Sequence, residues 1–182
     1  MIQHGDCILQ YTPFKWNDPG TWLAPFIRFF DNIWNRLLGR PYCRYSHSLL
    51  VVECIDGKYV YEATENGFNR TKRIEQYLLE NTKDNILILR PNFVYDSQIL
   101  ITYANGLCGT SYDWLGLLAE TAYLGSDERV WIGGNKNKKV FCTKAVGYIY
   151  HKGTRERLFT DWPRINPLDL YTSKLFNQYK IN

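Results

Sequence analysis

Hydrophobic and polar positions along the chain mark out its elements before composition is considered. Asp6 to Thr12 reads as a short strand, and Asn17-Asp18-Pro19-Gly20 is turn chemistry that ends it. Trp22, Phe26, Phe29, Phe30, Ile33, Trp34, Leu37 and Leu38 then recur at helical spacing, while Arg28, Asp31, Asn32, Asn35 and Arg36 fall on the other side. Pro25 fits the first turn of that helix, and Gly39 with Pro41 closes it. Tyr45 to Glu53 and Lys58 to Thr64 are β-branched and aromatic runs around Asp56-Gly57, the signature of an antiparallel hairpin.

Further along, a short helix from about Lys72 to Glu80 leads to Ile86-Leu87-Ile88-Leu89, a continuous apolar run that predicts a buried central strand before Pro91. Asp96 is placed to cap a helix with Ile99, Leu100, Tyr103 and Leu107 on its core face, and Asp113 to cap another carrying Leu117, Leu118 and Ala122. After the polar, basic loop Asn135 to Lys139, Val140-Phe141 enters a helix from Cys142 to His151 that Gly153 closes. Asn166-Pro167 opens a last short helix through Asp169 and Leu170. Strands and helices mixed in this way predict an α+β domain with a small antiparallel sheet or partial barrel packed on helices. One such domain spans 1–182, since no linker-like stretch or repeat divides the chain.

Composition narrows the function. The chain is 45% hydrophobic and 16% aromatic, and its fourteen Tyr and six Trp exceed the needs of packing, so some rings are expected to line a groove. A net charge of +4 is dispersed, which argues against a nucleic-acid partner. The five cysteines are widely spaced without a CxxC or Cys/His ligand pair, a pattern of reduced thiols rather than structural zinc, and no cofactor is called for. No basic segment followed by an apolar run opens the chain, so a cytoplasmic protein, or one released without a visible signal, is expected.

Cys142 is the candidate nucleophile. At the amino-terminal end of a helix a thiol faces unpaired N–H groups and the positive end of the dipole, which favours thiolate, and Lys144 would add to that field if it pointed the same way. Of the three histidines, His151 lies at a helix carboxyl end and His4 in a terminus expected to be mobile, which leaves His47, at the start of Ser48-Leu49-Leu50-Val51-Val52, as the base. Glu62 is a carboxylate within the apolar strand Tyr59-Val60-Tyr61-Glu62-Ala63, where it needs a partner. A two-residue Asp56-Gly57 turn puts Glu62 opposite Val51 and nominates Asn66 to orient His47; a wider loop centred near Cys54 and Ile55 puts Glu62 across from His47. The hairpin pattern leaves both registers open.

The ordered set Gly5-Asp6, Tyr45-Ser46-His47, Tyr61-Glu62-Ala63, Ser111-Tyr112-Asp113-Trp114, Phe141-Cys142-Thr143 and Ile165-Asn166-Pro167-Leu168-Asp169-Leu170 resembles the YiiX-like branch of the NlpC papain-fold superfamily. In that branch the histidine strand precedes the cysteine helix, a circular permutation of the usual order. The resemblance implies a papain-like fold and a Cys-His-Glu triad carried here by Cys142, His47 and Glu62. It also implies a binding role for Tyr112 and Ser46 at the oxyanion or substrate. Cys142-Thr143-Lys144 departs from the Cys-Ser-acidic run frequent among relatives, which bears on what Lys144 does to substrate choice.

The activity so implied is acyl transfer on peptidoglycan-type peptides or small amino-acid amides. Two alternatives stand beside it: a lipid-directed acyl hydrolase or acyltransferase, and a non-catalytic binding or structural protein. The Trp22 to Leu38 helix fits core packing, a lid over the cleft, or contact with a membrane surface.

Overall fold

A computed structural model describes residues 2–13, 25, 28–29, 32–33, 36, 39, 41–113, 139–154 and 165–181. Eight strands and four helices of at least six residues are described: β1 (Cys7–Gln10), β2 (His47–Cys54), β3 (Gly57–Thr64), β4 (Gly67–Arg73), α1 (Ile74–Glu80), β5 (Ile86–Pro91), α2 (Ser97–Leu107), β6 (Ser111–Tyr112), β7 (Lys139–Val140), α3 (Cys142–Gly153), α4 (Pro167–Thr172) and β8 (Phe176–Lys180). Six strands form one sheet in the order β4-β3-β2-β1-β5-β8, and every neighbouring pair in it is antiparallel. The protein is therefore α+β. Among the described residues no helix is long and apolar enough to cross a membrane.

Period-two alternation gives this sheet two apolar faces. Cys7, Leu9, Leu50, Val52, Tyr61, Ala63, Leu87 and Leu89 point to one side, where α2 and α3 cover them with Leu100, Ala104, Val146, Ile149 and Tyr150. Ile8, Leu49, Val51, Val60, Ile86 and Ile88 point to the other, which α1 covers with Ile74 and Tyr77. The apolar run in β5 is explained by this: both faces of the strand are covered, so it has no polar side. It lies inside the sheet between β1 and β8, one place from the edge rather than at its centre.

Helix ends follow the sequence signals closely. Asp96 Oδ1 accepts from the N–H groups of Gln98 and Ile99, and Asn166 with Asp169 forms a reciprocal capping box ahead of Pro167. The buried stripe of α2 is Leu100, Ala104 and Leu107, whereas Ile99, expected on that face, is 40% exposed. Gly5 and Asp6, the first fragment of the family-like pattern, act as a brace. Gly5 has φ 77° and leaves room that a Cβ would take from the Tyr95 hydroxyl, while Asp6 accepts from Arg90 Nε and Nη2 at 3.0 and 2.9 Å.

Of the aromatic helix, Pro25, Arg28, Phe29, Asn32, Ile33 and Arg36 are described and helical, and Gly39 follows at φ 66°. Asn32 ties this segment to the rest by pairing its amide with the backbone of Cys43 in both directions, at 3.1 Å each. Trp22, Phe26, Phe30, Trp34, Leu37 and Leu38 lie outside the described residues, as do Trp114 and the helix expected over Leu117, Leu118 and Ala122.

Candidate active site

The hairpin that carries His47 settles in a register between the two expected ones. Leu50 faces Tyr61 and Cys54 faces Gly57, so Ile55 and Asp56 are the turn and Gly57, at φ 140°, opens the returning strand. Continued toward His47, that register sets Glu62 across from Leu49, one diagonal step from the histidine, within reach of long side chains on the same face. His47 Nε2 and Glu62 Oε2 are 3.0 Å apart. Asn66 is elsewhere: it sits in the β3–β4 turn, its N–H donating to Thr64 Oγ1 and its carbonyl accepting from Asn69.

Glu62 has a second partner that the sequence did not announce. Thr71 Oγ1, on β4, donates to Glu62 Oε1 at 2.8 Å, so each carboxylate oxygen has a hydrogen-bond partner. Burial by itself would raise the Glu62 pKa; hydrogen bonding to His47, the charge of His47, the Thr71 hydroxyl and Lys72 outweigh it and hold the carboxyl below its ordinary value.

Cys142 is the first residue of α3, with Phe141 as its N-cap, and is 5% exposed. Its thiol contacts Thr143 Oγ1 at 3.6 Å, and it lies near enough to His47 for each group to act on the other's ionisation. With Nε2 engaged by Glu62, Nδ1 is the ring atom left for the thiol. Desolvation opposes charge on both partners, but their mutual attraction prevails: Cys142 is brought down from 9.0 to about 7 and His47 is raised from 6.5 to about 10. At pH between these values the pair is thiolate and imidazolium. The His47 side chain stays 20% exposed, so the pair opens to solvent on the imidazole side.

A two-residue parallel ladder brings Tyr112 to this point. Ser111 pairs with Lys139 and Tyr112 with Val140, and Asp113 N–H donates to the Val140 carbonyl at 3.0 Å, just before the chain turns into α3. Burial raises the Tyr112 phenol well above its ordinary pKa, and the charges of Cys142, Glu65 and Asp113 add to the effect, so Tyr112 remains a neutral donor. Ser46, next to His47, has a buried Oγ with no hydrogen-bond partner among the described residues, and its N–H donates to Gln10.

Lys144 requires a correction. Residues two apart on a helix point to opposite sides, and Lys144 turns away from the thiol into the interior, where its Nζ meets Asp113 Oδ2 at 2.8 Å. Both side chains are 1% exposed. It therefore joins α3 to the segment after Tyr112 instead of facing a substrate. His4 is also better fixed than its position near the terminus implied: its Nδ1 accepts from Glu53 N–H, its carbonyl accepts from Tyr95, and burial lowers its pKa.

No protein-family model matches the chain, and no curated protein matches it. Among solved structures it is similar to the crystal structure of metalloprotein yiiX from Escherichia coli O157:H7, at 15% identity and a TM-score of 0.62, over 99% of this chain and 97% of that one. That protein is described as a metalloprotein; among the described residues here no three His, Cys, Asp or Glu side chains are grouped to hold a metal ion. At this identity the likeness concerns the fold, and over nearly its full length the chain has a YiiX-like fold.

Proposed function

We propose that the protein is a cysteine hydrolase that works by acyl transfer, with Cys142 as nucleophile, His47 as base and acid, and Glu62 as the group that orients His47. The observation that supports this reading is the coupled set itself: a helix-terminal thiol and an imidazole that favour each other's charged form, the imidazole Nε2 lying 3.0 Å from a largely buried carboxylate. The Cys142 thiolate attacks an amide or ester carbonyl. The oxyanion lies toward the Cys142 N–H and the Tyr112 hydroxyl, and imidazolium His47 gives its proton to the leaving amine or alkoxide. Water, deprotonated by His47, then releases the acyl group and restores the thiolate.

The resemblance read from the sequence favours amide bonds in peptidoglycan-type peptides or small amino-acid amides. A lipid acyl substrate is the second reading, favoured by Phe29 and Ile33, which are 60% and 40% exposed on the helical segment. Labelling with iodoacetamide at near-neutral pH tests the nucleophile. By exposure alone Cys108 would react first, since it is exposed, Cys54 is intermediate, and Cys7, Cys43 and Cys142 are buried. The proposal requires Cys142 to react first and to lose that lead in His47→Ala. Reaction in order of exposure in the unmodified protein would leave a non-catalytic binding protein as the better account.

A further inference from the structure

At the end of the sheet where His47 begins β2, two adjoining cavities of about 660 and 760 Å³ share Tyr42. They start close to the catalytic end: Tyr11 follows Gln10, the strand partner of His47, and Tyr45 is two residues before His47. The first lies against the helical segment and is bordered by Arg28, Phe29, Ile33 and Arg36; the second holds Arg44, Lys83 and Lys180. Among the described residues lining the two, Asp84 is the one acid against five cations.

Arg28 and Arg44 are drawn together with no ion-pair partner among the described residues, while Arg44 Nη2 donates to the Asp84 carbonyl at 2.8 Å. Arg28 and Arg44 both lie over the ring of Tyr11, their Cζ atoms 4.4 and 5.0 Å from its centroid. Two guanidiniums on one ring repel each other, and a bound anion would relieve that repulsion. Arg28 Nη1 is buried with no hydrogen-bond partner among the described residues, a donor left unanswered. Phe29 and Ile33 stand exposed on the same segment, and Tyr42 is 69% exposed where the cavities meet. An ordinary anion would leave those side chains in water.

We propose that this groove binds the phosphate head of an anionic phospholipid, with Arg28, Arg36 and Arg44 on the phosphate and Phe29 and Ile33 against the first part of the acyl region. The site stands on residues separate from the triad and goes beyond the hydrolase reading. It would set a lipid surface beside the end of the sheet that holds His47.

Co-sedimentation of the full chain with phosphatidylcholine vesicles, with and without phosphatidylglycerol, tests this, with Cys142→Ala as the reference protein so that turnover plays no part. Binding is expected to vesicles containing phosphatidylglycerol and not to neutral ones, to weaken with salt, and to fall about a hundredfold in R28Q/R36Q/R44Q, from about fivefold per cation. Phe29→Ser is expected to weaken vesicle binding while leaving any binding of inorganic phosphate unchanged, and circular dichroism checks that each variant is folded. Equal binding to neutral vesicles, no binding to anionic ones, or retention of an oligonucleotide in preference to vesicles would overturn the proposal. Failure of these outcomes leaves the Cys142 labelling result standing, and the converse also holds.

Discussion

At the scale of single residues the candidate site joins Thr71, Glu62 and His47 by hydrogen bonds and couples His47 to Cys142 through charge. Its pH behaviour follows from the directions of the shifts. Cys142 is depressed to about 7, so thiolate is present above that value and lost as pH falls through it; His47 is raised to about 10, so imidazolium is present below that value and lost as pH rises through it. Alkylation by iodoacetamide, which needs thiolate alone, should rise through about 7 and then stay level. Hydrolysis, which also needs the His47 proton, should be bell-shaped between about 7 and about 10, as a pH–rate profile will show. In Glu62→Gln the imidazolium loses its carboxylate, so the alkylation midpoint should move upward and the rate at pH 7 drop by about fivefold for the first unit of that shift and about tenfold for each further unit.

Acid stability provides a second check on the same carboxylate. Because Glu62 is held below its ordinary value of 4.5, its contribution is complete above that pH and is lost as pH falls through the lowered folded value. The difference in melting temperature between the unmodified protein and Glu62→Gln should therefore shrink as the solution is acidified from neutral toward and below pH 4.5. A difference that does not change with pH would mean that the substitution acts through packing and not through charge.

At the scale of elements, α3 is fixed by an ion pair that the sequence hides. Asp113 and Lys144 are thirty-one positions apart, and nothing local tells a buried lysine from a solvent-facing one near a helix start. Lys144→Met leaves the Asp113 carboxylate buried without its ammonium and should cost about 3–5 kcal/mol, measured by urea unfolding; adding Asp113→Leu should recover much of that loss. The strands show the same division. β2, β3 and β5 are legible because their buried positions are mainly apolar, whereas β4 (Gly67–Arg73) is mostly polar and β8 (Phe176–Lys180) mostly polar and exposed, so both pass for loop. The hairpin register is less legible still. The two expected pairings and the one found differ by steps of two residues, and a two-residue slip keeps every side chain on its own face. The apolar pattern is blind to such a slip, and Asp56-Gly57 is a weaker guide than it looks because Gly57 serves as the first strand residue. The Cys142 helix, the Asp96 cap and the Asn166 cap were readable because each depends on neighbours in sequence.

At the scale of the whole molecule, the sheet is assembled from distant parts of the chain. β1 lies between β2 and β5, and β8 pairs with β5. Gly67 has φ 90° and brings β4 so close to the Thr110 carbonyl that a Cβ there would lie 2.4 Å from its oxygen, just before the ladder that carries Tyr112. At the other edge Phe176 anchors β8 among Phe93 and Tyr150, with ring centroids 5.8 and 5.5 Å away. Phe176→Ala should cost about 3–5 kcal/mol in urea unfolding, with the loss felt in β8 and in the tyrosine beneath it.

The pairing of β8 with β5 also governs the time before the fold is complete. A chain made from its amino terminus presents Ile86-Leu87-Ile88-Leu89 long before Phe176 to Lys180 exist to cover that side, and during this interval β5 offers a row of unsatisfied amides on four consecutive apolar residues to any other nascent chain. Aggregation on refolding should therefore be a race between neighbouring molecules and the molecule's own last strand, won at low concentration and lost when Phe176 is weakened.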